Sequence, residues 1–264
     1  MNTIPFEPRR FRSTAAYYAR YRVPYPATLI AAVATRLNLK PGDRVLDLGC
    51  GPGQLGLAFA ALGMDATGVD PEPEMIEAAR AAAREARLAF NVVEGSSYGL
   101  GPHLGRFRLV VMGRSFHWMD RQATLEALDR LIEPEGAVGL FHDRRIWASH
   151  DWHQLVEAGA ETFSPGRTET RHFRRSPDWL PHEAVLLGSA FSAVETHGRV
   201  FRQELTIDDI IGRTYSMSVT SPEALGERMD DFEAHLRAAL RSANPGGRFA
   251  EIVSAEAILA FRPG

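Results

Sequence analysis

The sequence predicts an α/β fold: a parallel sheet with helices on both faces. Three observations carry this. Short apolar runs alternate with helix-forming stretches from residue 44 to residue 141, the pattern of β-α-β units. The first run, Arg44 to Leu48, empties into Gly49-Cys50-Gly51-Pro52-Gly53, and a helical stretch follows at once. The composition is that of an ordinary globular domain, 45% hydrophobic and 24% charged.

Length and composition narrow the function. A chain of 264 residues suffices for one large domain, with or without an insertion. A net charge of −3 gives no general affinity for nucleic acid or anionic membrane. Lys40 is the single lysine and precedes Pro41, which excludes a P-loop and argues against a Schiff-base lysine. A lone Cys50 forbids an intrachain disulfide and a cysteine zinc cluster. No signal-type apolar core opens the chain and no apolar run spans a bilayer, so a cytoplasmic location is expected.

Taken in order, residues 1 to 12 are polar, carry Pro5 and Pro8, and read as mobile. Ser13 can cap a helix from Thr14 to Tyr21, which Pro24 and Pro26 end. Leu29, Ile30, Val33, Ala34 and Leu37 recur at helical spacing. Pro41-Gly42-Asp43 is a turn into the first strand, Arg44 to Leu48, and the helix Gln54 to Leu62 follows the glycine loop. Ala66 to Val69 is a second strand ending at Asp70, and Glu74 to Arg87 an alanine-rich helix. Leu88 to Val93 is the third strand and Phe107 to Met112 the fourth. A helix from Arg121 to Leu131, a turn at Glu133-Pro134-Glu135-Gly136 and a fifth strand, Ala137 to Phe141, complete the alternating part. The rhythm breaks at His142. Residues 142 to 190 hold Trp147, Trp152, Trp179, five His and many Arg, and read as an insertion, a candidate substrate lid or plain connecting helices. Ala193 to Gln203 reads as a sixth strand, Pro222 to Ser242 as a helix, and Ala250 to Arg262 contains the last strand.

A strand, a glycine turn and a helix make a nucleotide-binding unit, because glycine lets backbone approach a ligand and the helix N-terminus favours an anion. Gly51-x-Gly53-x-x-Gly56 also fits a dinucleotide fingerprint. Asp47, one residue before the loop, would repel a phosphate and attract an ammonium group, which suits a zwitterionic amino-acid cofactor better. Asp70 can take two ribose hydroxyls of either NAD or S-adenosylmethionine.

On these residues the sequence resembles the class I S-adenosylmethionine-dependent methyltransferases, small-molecule branch. Val45 to Gly53, Gly68-Val69-Asp70 with Met75, Glu94-Gly95-Ser96-Ser97 and Ser115-Phe116-His117-Trp118 follow one another in the family's order. Tyr18 to Pro26 resembles the segment before the core, and Leu131 to Gly136 matches a family turn loosely. The resemblance implies a doubly wound, Rossmann-like sheet of seven strands, order 3-2-1-4-5-7-6, with the last antiparallel. It implies one domain over 1–264, with residues 13–40 as an N-terminal helical cap. It implies S-adenosylmethionine as cofactor: Gly49, Gly51 and Gly53 along the methionine part, Asp70 on the ribose, Met75 over the adenine, and Ser96 and Ser97 where the family often has an acid. Tyr18 and Arg22 are candidates to close over the cofactor, Arg22 meeting its carboxylate. Pro71, Gly95 and Arg114 flank these positions and join the candidate cofactor site.

The cofactor's sulfonium already activates its methyl group, so the protein's task is alignment and exclusion of water. Gly113-Arg114-Ser115-Phe116 replaces the Asn-Pro-Pro-Tyr loop of base-N-methylating enzymes, and no acid ends the fourth strand as metal-dependent enzymes require. No metal and no nucleic-acid partner are therefore expected, and the acceptor is a small molecule whose reacting atom stays open. His117 could accept a proton with an ordinary imidazole pKa, or serve as a packed shelf beside Trp118. His142 beside Asp143 looks like a base with its orienting carboxylate. Arg144, Arg145, Arg171, Arg174 and Arg175 could bind a substrate carboxylate or phosphate, or form a solvated charge run. The insertion's Trp residues could cage the acceptor or pack a core. Two other readings stay open at this point: an NAD-dependent oxidoreductase, and a cofactor-binding module without catalysis.

Overall fold

The computed structural model describes residue 4, residue 7, and residues 9–165, 172–174 and 176–264. Pro5, Pro8, Arg171 and Arg175 lie outside the described residues. The seven strands are β1 (Arg44–Leu48), β2 (Asp65–Asp70), β3 (Asn91–Glu94), β4 (Phe107–Gly113), β5 (Ile132–Ala148), β6 (Ala193–Thr206) and β7 (Arg248–Phe261). They form one sheet in the order β3-β2-β1-β4-β5-β7-β6. The first five pair in parallel, and β7 runs antiparallel between β5 and β6. The sheet is thus the doubly wound, mostly parallel one expected. The strand order reverses between β1 and β4, where ligands bind in such sheets.

Helices α1 (Ala15–Tyr21) and α2 (Ala27–Arg36) precede the sheet. Helices α3 (Gln54–Ala60), α4 (Pro73–Ala86) and α5 (Arg121–Leu131) connect its parallel strands. Two apolar cores result, one on each face. Leu46, Leu48, Val110 and Leu128 belong to one; Val33, Val45, Phe59 and Leu109 belong to the other. The alternation of Leu46 and Leu48 against Val45 is the period-two pattern of a strand buried on both sides. Cys50 is a small buried residue packed with Ile76, Ala79 and Val92.

Several local expectations change. Thr14, not Ser13, stands at the start of α1, and its hydroxyl donates to the Phe11 carbonyl (2.8 Å). Ser13 instead accepts from the Glu223 N–H (3.3 Å). Within the N-terminal stretch Ile4 is buried, and the Phe11 ring meets the Trp118 ring edge-on at 5.4 Å. β3 begins at Asn91, three residues later than Leu88. The turn at 133–136 is a bulge within β5, where the register to β4 jumps from Phe107↔Ile132 to Leu109↔Ala137.

The larger correction concerns His142. β5 does not end at Phe141 but runs on to Ala148, held by an antiparallel ladder to β7. Beyond it come α6 (Trp152–Phe163) and α7 (His182–Leu187), so residues 142–148 are sheet and not the start of an inserted loop. Helix α8 (Ile207–Tyr215) was not read from the sequence at all. The stretch after it is broken by Gly226 (φ +55°) into α9 (Pro222–Leu225) and α10 (Met229–Ala243). Trp152, Leu205, Ile210, Phe232 and Phe249 form a third core beneath the extended β5-β7-β6 portion.

Candidate functional site

A cavity of about 540 Å³ opens at the C-terminal ends of β1, β2 and β4 and beside residues 140–143 in the middle of β5. Leu48, Met112, Leu140 and Ile258 contribute its apolar lining. Of the residues expected in the site, Tyr18, Arg22, Gly49, Gly51, Asp70, Pro71, Met75, Ser96, Ser97, Arg114, His117 and His142 line it. Asp47, Gly53 and Gly95 do not.

The loop after β1 is shaped by three left-handed glycines, Gly49, Gly51 and Gly53. A Cβ on Gly49 (φ +68°) would lie 2.6 Å from the Ser115 Cβ, so no other residue fits between the two strand ends. A Cβ on Gly51 (φ +53°) would meet only the Met75 sulfur at 3.9 Å. The space at Gly51 is therefore a cradle that a ligand, rather than the protein, can fill. Asp70 holds this loop in place. Its Oδ2 accepts from the Gly51 N–H (2.8 Å) and its Oδ1 from the Glu72 N–H (2.9 Å). Burial pushes the Asp70 carboxyl up to about 6, while those two N–H groups pull it down.

Asp47 is placed otherwise than expected. Its side chain is buried, and its Oδ2 accepts from the Gly56 N–H (2.8 Å) in the first turn of α3. It fastens helix to strand from beneath the loop, so an ammonium group in the cavity does not meet it directly. Gly53 packs toward Phe90, and the Gly95 N–H ties the exit of β3 to the Asp70 carbonyl (3.0 Å). Both glycines shape the backbone behind the cavity wall.

Burial pushes the Asp47 carboxyl up to about 7; the Gly56 N–H opposes this and the Asp70 charge adds to it. A raised carboxyl keeps a proton in the folded chain that the unfolded chain has already lost. Stability from this group therefore falls as pH rises from about 4 to about 7, by at most ~1.4 kcal/mol per unit. Asp47→Asn removes that slope. Its Tm should gain on the wild type across this window and hold a constant lead above it. A difference in Tm independent of pH would show that Asp47 does not titrate there.

The opposite wall comes from the turn after β4. The Ser115 hydroxyl donates to the Leu48 carbonyl (2.8 Å), and Phe116–Trp118 form one 3₁₀ turn. His117 is buried, packed 4.6 Å from the Trp118 ring and 6.4 Å from the His182 ring. Burial, then the charge of Arg174 and the neighbouring His182, holds His117 well below the usual imidazole range. It is therefore a weaker base in this setting than an ordinary imidazole. His142 and Asp143 also part company. His142 lies 3.3 Å from Glu256, its partner across the β5-β7 ladder, while Asp143 pairs with Arg114. Successive residues of a strand point to opposite faces, which is why the two side chains diverge.

Arg114 lines the cavity, but its guanidinium is engaged within the protein. It donates to Asp143, to Gln54 Oε1 (3.3 Å) and to the Val23 carbonyl (2.6 Å), and stacks 4.5 Å over the Tyr25 ring. It reads as a framework residue rather than a free cation. Arg22, in contrast, keeps a buried Nε without a hydrogen-bond partner among the described residues, and lies 5.0 Å from the Tyr18 ring.

Sequence reasoning missed several lining residues. Glu72 is buried, and its Oε2 has no partner among the described residues; burial raises its carboxyl, against the Phe11 N–H at 3.3 Å. A second acid two residues after Asp70 was the available signal. Phe11, His182 and Met217 to Val219 also line the cavity. They come from segments distant in the chain, and no local pattern marks them. Of the arginine group, Arg174 lines this cavity, while Arg144 pairs with Glu256. Trp152 is buried in the third core, Trp179 stacks against the Arg121 guanidinium at 3.9 Å, and Trp147 is half exposed.

Comparison with known proteins agrees with this geometry. Residues 45–136 match a family model described as a methyltransferase domain. An uncharacterized methyltransferase of Mycobacterium tuberculosis (strain H37Rv) is 27% identical over 221 residues, covering 80% of this chain and 79% of its own. A ubiquinone biosynthesis O-methyltransferase of Xanthomonas campestris is 36% identical over 131 residues, 49% of this chain and 53% of that protein. The crystal structure of an S-adenosylmethionine-dependent methyltransferase from Geobacter sulfurreducens, in complex with S-adenosyl-L-homocysteine, superposes with a TM-score of 0.52. It is 19% identical and covers 97% of this chain and 99% of that one, a likeness of fold. The family match spans the glycine loop whose spacing also fits a dinucleotide, and it favours the methyl-transfer scaffold.

Proposed function

Because the chain is a class I S-adenosylmethionine-dependent methyltransferase, we propose that its methyl acceptor is a small molecule bound whole within the cavity at the ends of β1, β2 and β4 and beside the middle of β5. The observation that carries this is the cavity itself. At about 540 Å³ it falls within the range of small-molecule sites, ~300–1,000 Å³. Phe11, Tyr18 and Arg22 from the N-terminal segment and His117, Trp118 and His182 from the other side surround it. A net charge of −3 gives no general electrostatic draw for a nucleic-acid polymer.

The residues present fit the cofactor. The Gly51 cradle and the unpartnered Glu72 Oε2 are of the right kinds for a closely held ligand and its hydroxyls. In this reading Asp70 and Glu72 hold the ribose, Met75 covers the adenine, and Gly49 and Gly51 follow the methionine part. When bound, the cofactor supplies an electrophilic methyl group on a sulfonium. Of residues 13–40, Tyr18 and Arg22 cap the cavity, while α2 buries Leu29, Ile30 and Val33 in the core beside β1. Arg174, His182 and Glu183 form the acceptor side, the part of 142–190 that acts as a lid.

A neutral, buried His117 excludes water and can accept a hydrogen bond from an acceptor hydroxyl or amine, which orients its lone pair without requiring a strong base. The Xanthomonas relative is an O-methyltransferase by name, which supports an oxygen acceptor here. The test has two parts. S-adenosylhomocysteine should bind in calorimetry. Labelled methyl groups from S-adenosylmethionine should then appear in the small-molecule filtrate of a cell extract; label confined to RNA or protein would overturn the small-molecule reading.

A further inference from the structure

A second cavity, of about 410 Å³, adjoins the first and shares Arg22, Asp143 and Met217 with it. We propose that this cavity is a subsite for a carboxylate carried by the methyl acceptor. The proposal rests on the small-molecule reading above.

The wall of this cavity is polar and unevenly satisfied. Its two carboxylates are already engaged. Asp143 is paired with Arg114. Glu251, almost fully buried, accepts from Arg213 and Gln203 and lies 3.1 Å from His153 Nε2. Neither is left to repel an anion at full strength or to serve as the cavity's hydrogen-bond acceptor. Two donors remain. Trp152 is 2% exposed, lines the cavity, and its Nε1 has no hydrogen-bond partner among the described residues. Arg22 Nε is in the same condition.

An indole N–H and a guanidinium N–H can only donate. Buried donors without acceptors are uncommon, and such a pair calls for an oxygen from outside the chain. Because one of the two is a cation, an anionic oxygen suits them better than a neutral one. Arg22 stands in the wall between the cavities, whereas Trp152 belongs to the second alone. An acceptor with its reacting atom in the first cavity and a carboxylate in the second would span that wall. Val156 and Val253 supply apolar surface for the carbon skeleton beside the carboxylate.

The experiment uses the full chain with its four tryptophans, Trp118, Trp147, Trp152 and Trp179, labelled with ¹⁵N at the indole and saturated with S-adenosylhomocysteine. The Trp152 N–H resonance is assigned by its loss in Trp152→Phe. Sodium phenylacetate is the probe and phenylacetamide its uncharged counterpart. The Trp152 resonance should shift saturably with phenylacetate, at a concentration at least about tenfold lower than any shift with the amide, the ratio set by ~1.4 kcal/mol. A silent Trp152, an equal response to the amide, or a response confined to Trp118 would overturn the subsite. Binding heat with S-adenosylhomocysteine is measured on the same sample. Its absence would overturn the methyl-transfer reading itself, while heat with a silent Trp152 would overturn the subsite alone.

Discussion

Asp70→Ala should weaken binding of S-adenosylhomocysteine roughly 10- to 150-fold, ~1.5–3 kcal/mol, the range for hydrogen bonds to a charged group. The proposed ribose contact is one source of the loss. The other is the loop, because the carboxylate receives the N–H groups of Gly51 and Glu72 and so defines the cradle. Asp70→Asn keeps one acceptor oxygen for that purpose and should lose less. The wild type should also depend on pH. With the Asp70 carboxyl pushed up to about 6, affinity should be level above that value and decline as pH falls through it, whereas the Asn variant should stay flat. Calorimetry across this range checks both statements. Unchanged affinity in Asp70→Ala would mean that the ribose lies elsewhere.

The second large effect concerns stability. Arg114→Ala removes the cation that neutralises Asp143, together with donors to the Val23 carbonyl and Gln54. Burial on its own would raise the Asp143 carboxyl, yet the Arg114 charge holds it below the usual carboxylate range. Without Arg114 a largely buried charge is stranded. The cost should be about 2–4 kcal/mol, toward the low side for a broken buried pair because Asp143 keeps some solvent contact. This corresponds to a fall in Tm of roughly 5–12 °C for a chain of this size. Adding Asp143→Asn to Arg114→Ala should recover part of the loss, since the stranded charge goes. Arg114→Gly should fall less than Arg114→Ala, because Arg114 sits at φ +57°, where glycine is unstrained. A double variant no more stable than the single one would show that the ion pair is not the source of the effect.

How far these features could be read in the sequence depended on whether their cause was local. β1 and α5 fell where expected to the residue, because apolar periodicity and flanking turn residues define them within a short window. Helix α8 carried a local signal that went unread. Thr206 and Asp209 form a capping box ahead of Ile210 and Ile211. The extension of β5 had no such signal. His142 to Arg145 is a polar run, and it is a strand only because β7 supplies a ladder partner over a hundred residues later. The first-motif acid illustrates the same limit. Asp47 was legible as important, but its partner, Gly56, lies beneath the loop and not in the cavity.

The sequence by itself determined the parallel half of the sheet, the glycine loop, the acid that ends β2 and the kind of cofactor. These rest on spacing within one β-α-β unit, which short-range sterics and periodicity dictate. Only the tertiary structure decided which charges meet and which groups can titrate. Asp143 turned to Arg114 and His142 to Glu256; burial left His117 neutral; and Trp152 came to line a second cavity with a donor unspent. The reason is physical. Pairing across a sheet and loss of water depend on segments far apart in the chain, and a local pattern of residues carries neither.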